Sequence, residues 1–146
     1  MATSWLDDER ITAFGLFDEA HRRLEQTFSA SLVARGCVSG PFFEVLARLG
    51  RTPRGRLRMS ELAEALGVTS GGATRLVDRM ETASLVTRAI CEDDRRVHWV
   101  RLTAEGRTQL DAALRVHLRD LEEEFATRLT VDELDALVRT LDKLRA

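Results

Sequence analysis

Residues Met59–Arg79 read MSELAEALGVTSGGATRLVDR, the most informative run in the chain. It predicts two short helices joined by a tight turn. Leu62 and Leu66 share a helical face, and Ala63 is small where two helices would cross. Gly67 stands at the turn, where a positive φ costs a glycine little because it has no Cβ. Val68, Ala73 and Leu76 are expected to fill the angle between the helices. The other face of the second helix carries Thr69, Ser70, Gly71, Gly72, Thr74, Arg75 and Arg79. Small residues at its start allow close approach to a DNA major groove, and arginines further along read guanine or grip phosphate. This is a helix-turn-helix pattern. For this window alone, an ordinary helical hairpin with a solvated polar face remains the competing reading.

The following residues strengthen the first reading. Leu85–Ile90 (LVTRAI) and Val97–Leu102 (VHWVRL) are short runs rich in β-branched and aromatic residues, as strands require. Between them lies the charged loop CEDDRR, Cys91–Arg96. A strand pair directly after a helix-turn-helix makes a winged helix. Arg95 and Arg96 suit the wing tip, because a guanidinium fork binds phosphate and enters a narrow, electronegative groove. Asp94 is placed to brace Arg96 within the loop.

From about Gly55 to Gly106 the chain resembles the MarR family of bacterial winged-helix regulators. The matching pieces are Arg56–Ala63 (RLRMSELA), Thr74–Arg79 (TRLVDR), Asp94–Arg96 (DRR) and Leu102–Gly106 (LTAEG). The wing signature of that family, Asp-x-Arg followed by Leu-Thr-x-x-Gly, is filled by Asp94, Arg96, Leu102, Thr103 and Gly106. One departure stands out. Where the family usually has basic residues and then glycine before Leu-Val, this chain has Glu81-Thr82-Ala83-Ser84. The change removes positive charge near the groove and puts serine at a helix stop where glycine is at ease.

The formal net charge of −2 argues at first against DNA, but its distribution does not. Between Arg48 and Arg107 there are twelve Arg against eight Asp or Glu, whereas both flanks are acidic. Phosphate affinity follows that local field. At 146 residues the chain suits one domain, or one domain with a dimerisation extension. It has no apolar run of membrane-spanning length and no signal-peptide pattern, and its two cysteines, Cys37 and Cys91, are too few for a disulfide framework. A cytoplasmic location without membrane association is the expectation.

Outside the winged helix the pattern is helical. A long helix is expected from about Asp7 to Arg35, with Ile11, Phe14, Leu24, Phe28 and Leu32 near helical spacing. Gly36 and Ser39-Gly40-Pro41 break it. The next helix turns Phe42, Val45, Leu46 and Leu49 inward and ends at Gly50. Arg56–Arg58 is expected as a small strand against the wing. Ser60, Thr103 and Thr130 are candidate N-caps for the later helices. Leu110, Leu114, Leu118, Leu121 and Phe125 mark one of these, and Leu134, Leu137, Val138, Leu141 and Leu144 the last. The expected class is therefore mainly α with a small β-wing. Residues 1–35 form an N-terminal dimerisation helix, 36–106 the winged helix-turn-helix and 107–146 C-terminal dimerisation helices. The dimerisation role rests on the resemblance, since the end helices could equally pack on their own winged helix. It implies a two-fold dimer that presents two recognition helices to successive major grooves of a pseudo-palindrome.

The resemblance also implies a small aromatic or phenolic ligand, for which Phe14, His21, Phe42, Phe43 and Leu46 are the candidates. Some branches of the family sense peroxide through cysteine. Cys37 has no neighbour other than Arg35 to activate it, and Cys91 is distant in sequence. His21, His98 and His117 lack metal-ligand spacing, so no metal or other cofactor is expected. No phosphate loop or nucleophile motif points to an enzyme. The expected function is a sequence-specific, ligand-responsive repressor that binds double-stranded DNA as a homodimer. The alternatives are a winged helix that binds protein, as an adaptor or anti-repressor, and a cysteine-based redox sensor. A protein-binding surface would expose apolar anchors where this one shows Thr, Ser, Gly and Arg.

Overall fold

A computed structural model of the chain describes residues 7–90 and 98–145. Six α-helices are found among them, α1 (Glu9–Ala34), α2 (Gly40–Arg51), α3 (Met59–Leu66), α4 (Ser70–Thr82), α5 (Ala104–Glu124) and α6 (Val131–Arg145). Three strands, β1 (Arg56–Arg58), β2 (Val86–Ile90) and β3 (His98–Leu102), form an antiparallel sheet in the order β1-β3-β2. The architecture is thus mainly helical with a small sheet, as expected from the sequence. Two compact units divide the chain. One joins the residues up to Ser31 with those from His117, and the other is Leu32–Val116.

The Leu32–Val116 unit holds the principal core. Val45, Leu46 and Leu49 of α2 meet Leu62 of α3, Val77 and Met80 of α4, Leu85, Val86, Val100 and Leu110. Each such side chain contributes about 1.5–3 kcal/mol relative to full exposure. The sheet covers this core with one face only. Leu57 lies opposite Val100, and Val86 opposite Leu102, so these side chains point inward. Arg56, Arg58, Trp99 and Arg101 alternate to the outer face.

Both helices of the helix-turn-helix end in the same two-bond cap. Gly67, at φ +64°, donates its N–H to Glu64 O while Val68 donates to Ala63 O. Ser84, at φ +60°, donates to Glu81 O while Leu85 donates to Met80 O. The left-handed conformation expected at Gly67 is present. Serine holds the equivalent place after α4, where a Cβ meets a steric penalty. Ser84→Gly should therefore raise stability by about 0.5–1 kcal/mol, the relief of that penalty less the entropy of a freer unfolded chain. Chemical denaturation would register the gain, and a loss would mean that the Ser84 hydroxyl has a role of its own.

Three local expectations are corrected. Gly50 does not end α2, which runs on to Arg51. It lies against the core instead, where an added Cβ would stand 2.7 Å from Leu110 Cδ2 and that side-chain end would have to shift. Ser60 does not cap α3, because the helix begins at Met59, two residues earlier than a Ser60 cap requires, and Arg58 takes the cap position. Glu61 Oε2 instead accepts the Arg58 backbone N–H at 2.8 Å. Val68 does not plug the helix angle. The turn at Gly67 leaves its side chain 43% exposed, while Ala73 beyond it is fully buried.

Thr103 caps α5 as expected, accepting the Gly106 N–H at 2.9 Å. Its hydroxyl proton has two carbonyls in reach, Ser84 O at 2.7 Å and Leu85 O at 3.0 Å. The start of α5 is thereby tied to the junction between α4 and β2. Gly106 sits so close to that junction that an added Cβ would be 1.9 Å from Leu85 O.

In the other unit, Thr130 and Glu133 form a reciprocal cap on α6. The Glu133 carboxylate accepts from Thr130 N at 2.8 Å, which holds its pKa below the usual range. Phe28 meets His117 edge to face, with ring centroids 5.1 Å apart. Burial lowers the His117 pKa, partly opposed by the Asp120 carboxylate. No side chain of α6 is buried, and Ile11, Phe14, Leu16 and Phe17 are exposed along α1.

Candidate nucleic-acid interface

α4 opens with Thr69, whose Oγ1 accepts the Gly72 N–H at 3.1 Å. That hydroxyl serves as a helix cap, a role worth about 1 kcal/mol. Gly72 is constrained by it, since a Cβ there would lie 3.2 Å from Thr69 Oγ1. Gly71 is different. A Cβ at this position would meet nothing within 4 Å. Glycine in a helix costs about 1 kcal/mol against alanine, and nothing inside the fold requires it here.

Thr74 donates its hydroxyl proton to Ser70 O at 2.9 Å, so the oxygen faces outward as an acceptor beside its methyl group. Arg75 is exposed and makes no ion pair among the described residues. The Arg79 guanidinium lies 5.2 Å from the centre of the Phe42 ring. An aromatic partner restrains this group while leaving its charge intact. Ser70, Thr74 and Asp78 line one side of a cleft of about 550 Å³ that Arg58, Met59, Ser60, Arg88 and His98 complete. Asp94, Arg95, Arg96 and Cys91 fall outside the described residues.

Sequence reasoning misses the residue that joins wing to helix. Arg88 of β2 projects inward and reaches three groups on α4. Its Nη1 stands 2.7 Å from Asp78 Oδ1 and also pairs with Glu81 Oε2, while Nη2 donates to Thr74 O at 3.1 Å. Its backbone N–H donates to Glu81 Oε1 at 2.8 Å. From sequence, Glu81 is only a loss of positive charge. In the structure it is half of a clamp that sets the wing against the recognition helix. The signal is present in Asp78 and Glu81, three apart on one helical face with an arginine in the next strand.

The ligand candidates occupy varied settings. Phe14 is 71% exposed on α1, and His21 on the same helix stands 3.8 Å from Glu25. In the Leu32–Val116 unit, Phe42 and Phe43 are half-buried and Leu46 is wholly inside the core. Cys37 is half-buried, with Sγ 4.0 Å from Arg35 O. Among the described residues no group of three or more His, Cys, Asp or Glu is arranged to hold a metal ion, and no helix is long and apolar enough to cross a membrane.

These groups together make a polar helix face with an unneutralised arginine, tied by the Arg88 clamp to a two-stranded ribbon. Such a face has the dimensions and donors for a duplex groove. Comparison with known proteins points the same way. A family model described as MarR family matches residues 38–97. AbsC, a MarR family transcriptional regulator from Streptomyces coelicolor, is 29% identical, with a TM-score of 0.88 over 98% of this chain and 96% of that one. Sco3205, a MarR family regulator from the same organism solved in complex with DNA, is 26% identical, with a TM-score of 0.86 over 98% and 89%. BpsR of Bordetella bronchiseptica, at 19% identity and a TM-score of 0.78 over 92% and 99%, shares the fold. A segment matching the MarR family thus spans residues 38–97, and the whole chain is similar in fold to MarR family transcriptional regulators.

Proposed function

We propose that the chain is a homodimeric, ligand-responsive repressor that acts in the cytoplasm on a pseudo-palindromic DNA operator. The observation that carries this reading is the face of α4 with Gly71, Thr74 and Arg75, a glycine the fold does not need beside an exposed threonine and an arginine with no ion pair among the described residues. In this reading Ser70, Thr74 and Arg75 meet bases or adjacent phosphates. Gly71 allows close approach, with Thr69 and Gly72 shaping the helix start, and Arg79 contacts the backbone. Arg95 and Arg96 supply the wing contact, braced by Asp94. The DNA-bound state of Sco3205 supports the same use of the fold.

Dimerisation through segments 1–35 and 107–146 is supported by apolar exposure. Phe14 and Leu16 of α1 and Val131, Val138 and Leu144 of α6 are exposed in the single chain. Burying such side chains against a second copy is the economical outcome. A small aromatic or phenolic effector completes the proposal, with the half-buried Phe42 and Phe43 of the Leu32–Val116 unit as its candidate contacts. The regulation of BpsR by 6-hydroxynicotinic acid supports that ligand class.

Light scattering combined with a salt titration tests the reading. The particle should have twice the chain mass of 16.4 kDa. If roughly six phosphates are neutralised per dimer, log affinity should fall against log salt with a slope of about −5. A monomer with a flat salt response would favour a protein-binding winged helix instead.

A further inference from the structure

The outer face of the sheet carries a second charged surface, beyond the one on α4. Arg56 of β1 pairs in register with Arg101 of β3, and Arg58 with Trp99, so all four side chains stand on one face. The Arg56 guanidinium lies 4.4 Å from the centre of the Trp99 ring, and that of Arg58 lies 5.4 Å from it. Among the described residues none of the three arginines has a carboxylate ion-pair partner; Glu61 contacts Arg58 only through its backbone N–H. Like charges directly opposite on neighbouring strands destabilise a sheet. The fold nevertheless keeps Arg56 facing Arg101, and it orders two guanidiniums with an aromatic ring, which leaves their charge in place. Arg58 also lines the cleft beside Ser70 and Thr74, so this surface is continuous with the recognition helix.

We propose that Arg56, Arg58 and Arg101, arranged around Trp99, form a DNA-phosphate-binding surface that adds affinity without sequence preference. The proposal rests on the DNA-binding reading given above. The guanidinium fork matches a phosphodiester oxygen pair. Trp99 is already occupied by two arginines, so the surface is not a platform for stacking bases. Phosphate contacts of this kind position a protein on the duplex and carry no base information.

The test compares the full-length chain with an Arg56→Gln/Arg101→Gln variant on two duplexes, one from its own upstream region and one random of equal length. Both affinities should fall by the same factor, on the order of tenfold, and the salt slope should drop by about 1 for each phosphate no longer neutralised. The melting temperature should hold or rise, because an opposed pair of like charges has been removed. In a Trp5→Phe background, Trp99 emission should change on adding duplex but not on adding sodium chloride of equal ionic strength. Unchanged affinities and slope, or a silent Trp99, would overturn the surface, including the case in which it serves an acidic protein. If the unaltered chain bound neither duplex, the DNA-binding reading itself would fall. Binding by the unaltered chain with an unaffected variant removes only this surface.

Discussion

Gly106→Ala is expected to lower stability by about 3 kcal/mol or more, a large share of the roughly 5–15 kcal/mol that holds a domain folded. The new methyl group would come 1.9 Å from Leu85 O and 2.9 Å from its carbonyl carbon. Those atoms are backbone, and they cannot swing aside as a side-chain end would. Leu85 O is also fixed by the Thr103 N–H at 3.2 Å and lies within reach of the Thr103 hydroxyl. Relief would require α5 to withdraw from the junction of α4 and β2, exposing Leu85 and Leu110, which are now buried. A thermal melt should drop by roughly 10 °C or more. Gly71→Ala is the matched control. It meets open space, so it should stabilise α4 by up to about 1 kcal/mol while weakening DNA binding. Equal, small effects at both positions would contradict the roles given to the two glycines.

Arg88→Met is expected to separate wing position from fold. Methionine keeps an apolar stem but removes the links to Asp78, Glu81 and Thr74 O. The cost in stability should be about 1–2 kcal/mol, less than for a fully buried pair, because the Asp78 side chain is 56% and that of Glu81 33% exposed. The cost in DNA affinity should be greater, on the order of 10–100-fold, since recognition helix and wing must meet the duplex in one fixed geometry. Arg88→Lys should recover part of the stability and little of the affinity, because an ammonium cannot reach three acceptors as a fork does. Denaturant curves and polarisation titrations on the same samples would show the two effects apart. Full affinity in a destabilised Arg88→Met variant would reduce the clamp to packing.

What is legible in the sequence follows the range of the physics. Leu62, Ala63, Gly67 and Ala73 announce their turn through neighbours a few residues away, and the structure places that turn at Gly67. The strands beginning at Val86 and His98 are legible because β-branched and aromatic runs flank a charged loop. The strain at Ser84 follows from one missing glycine. Features set by distant packing are not legible. Gly50 looks like a helix stop, yet it makes room for Leu110, sixty residues on. Gly106 is legible as a motif position, but its reason lies in Leu85 O. The Arg88 clamp joins a strand to a helix face, so Glu81 stands out as a departure while its partner stays hidden. Thr69 reads as one of the DNA-facing groups, and its hydroxyl is engaged in capping α4.

Competition binding would show whether α4 reads DNA sequence. The purified chain would be titrated against its own upstream duplex with a length-matched random duplex as competitor, alongside Arg75→Ala. The expected result is a preference of about 10³-fold or more for the specific duplex. Arg75→Ala should narrow this preference while leaving binding to the random duplex nearly unchanged. Equal binding to both duplexes by the unaltered chain, or a preference that survives loss of Arg75, would contradict the assignment of α4 as the element that reads DNA.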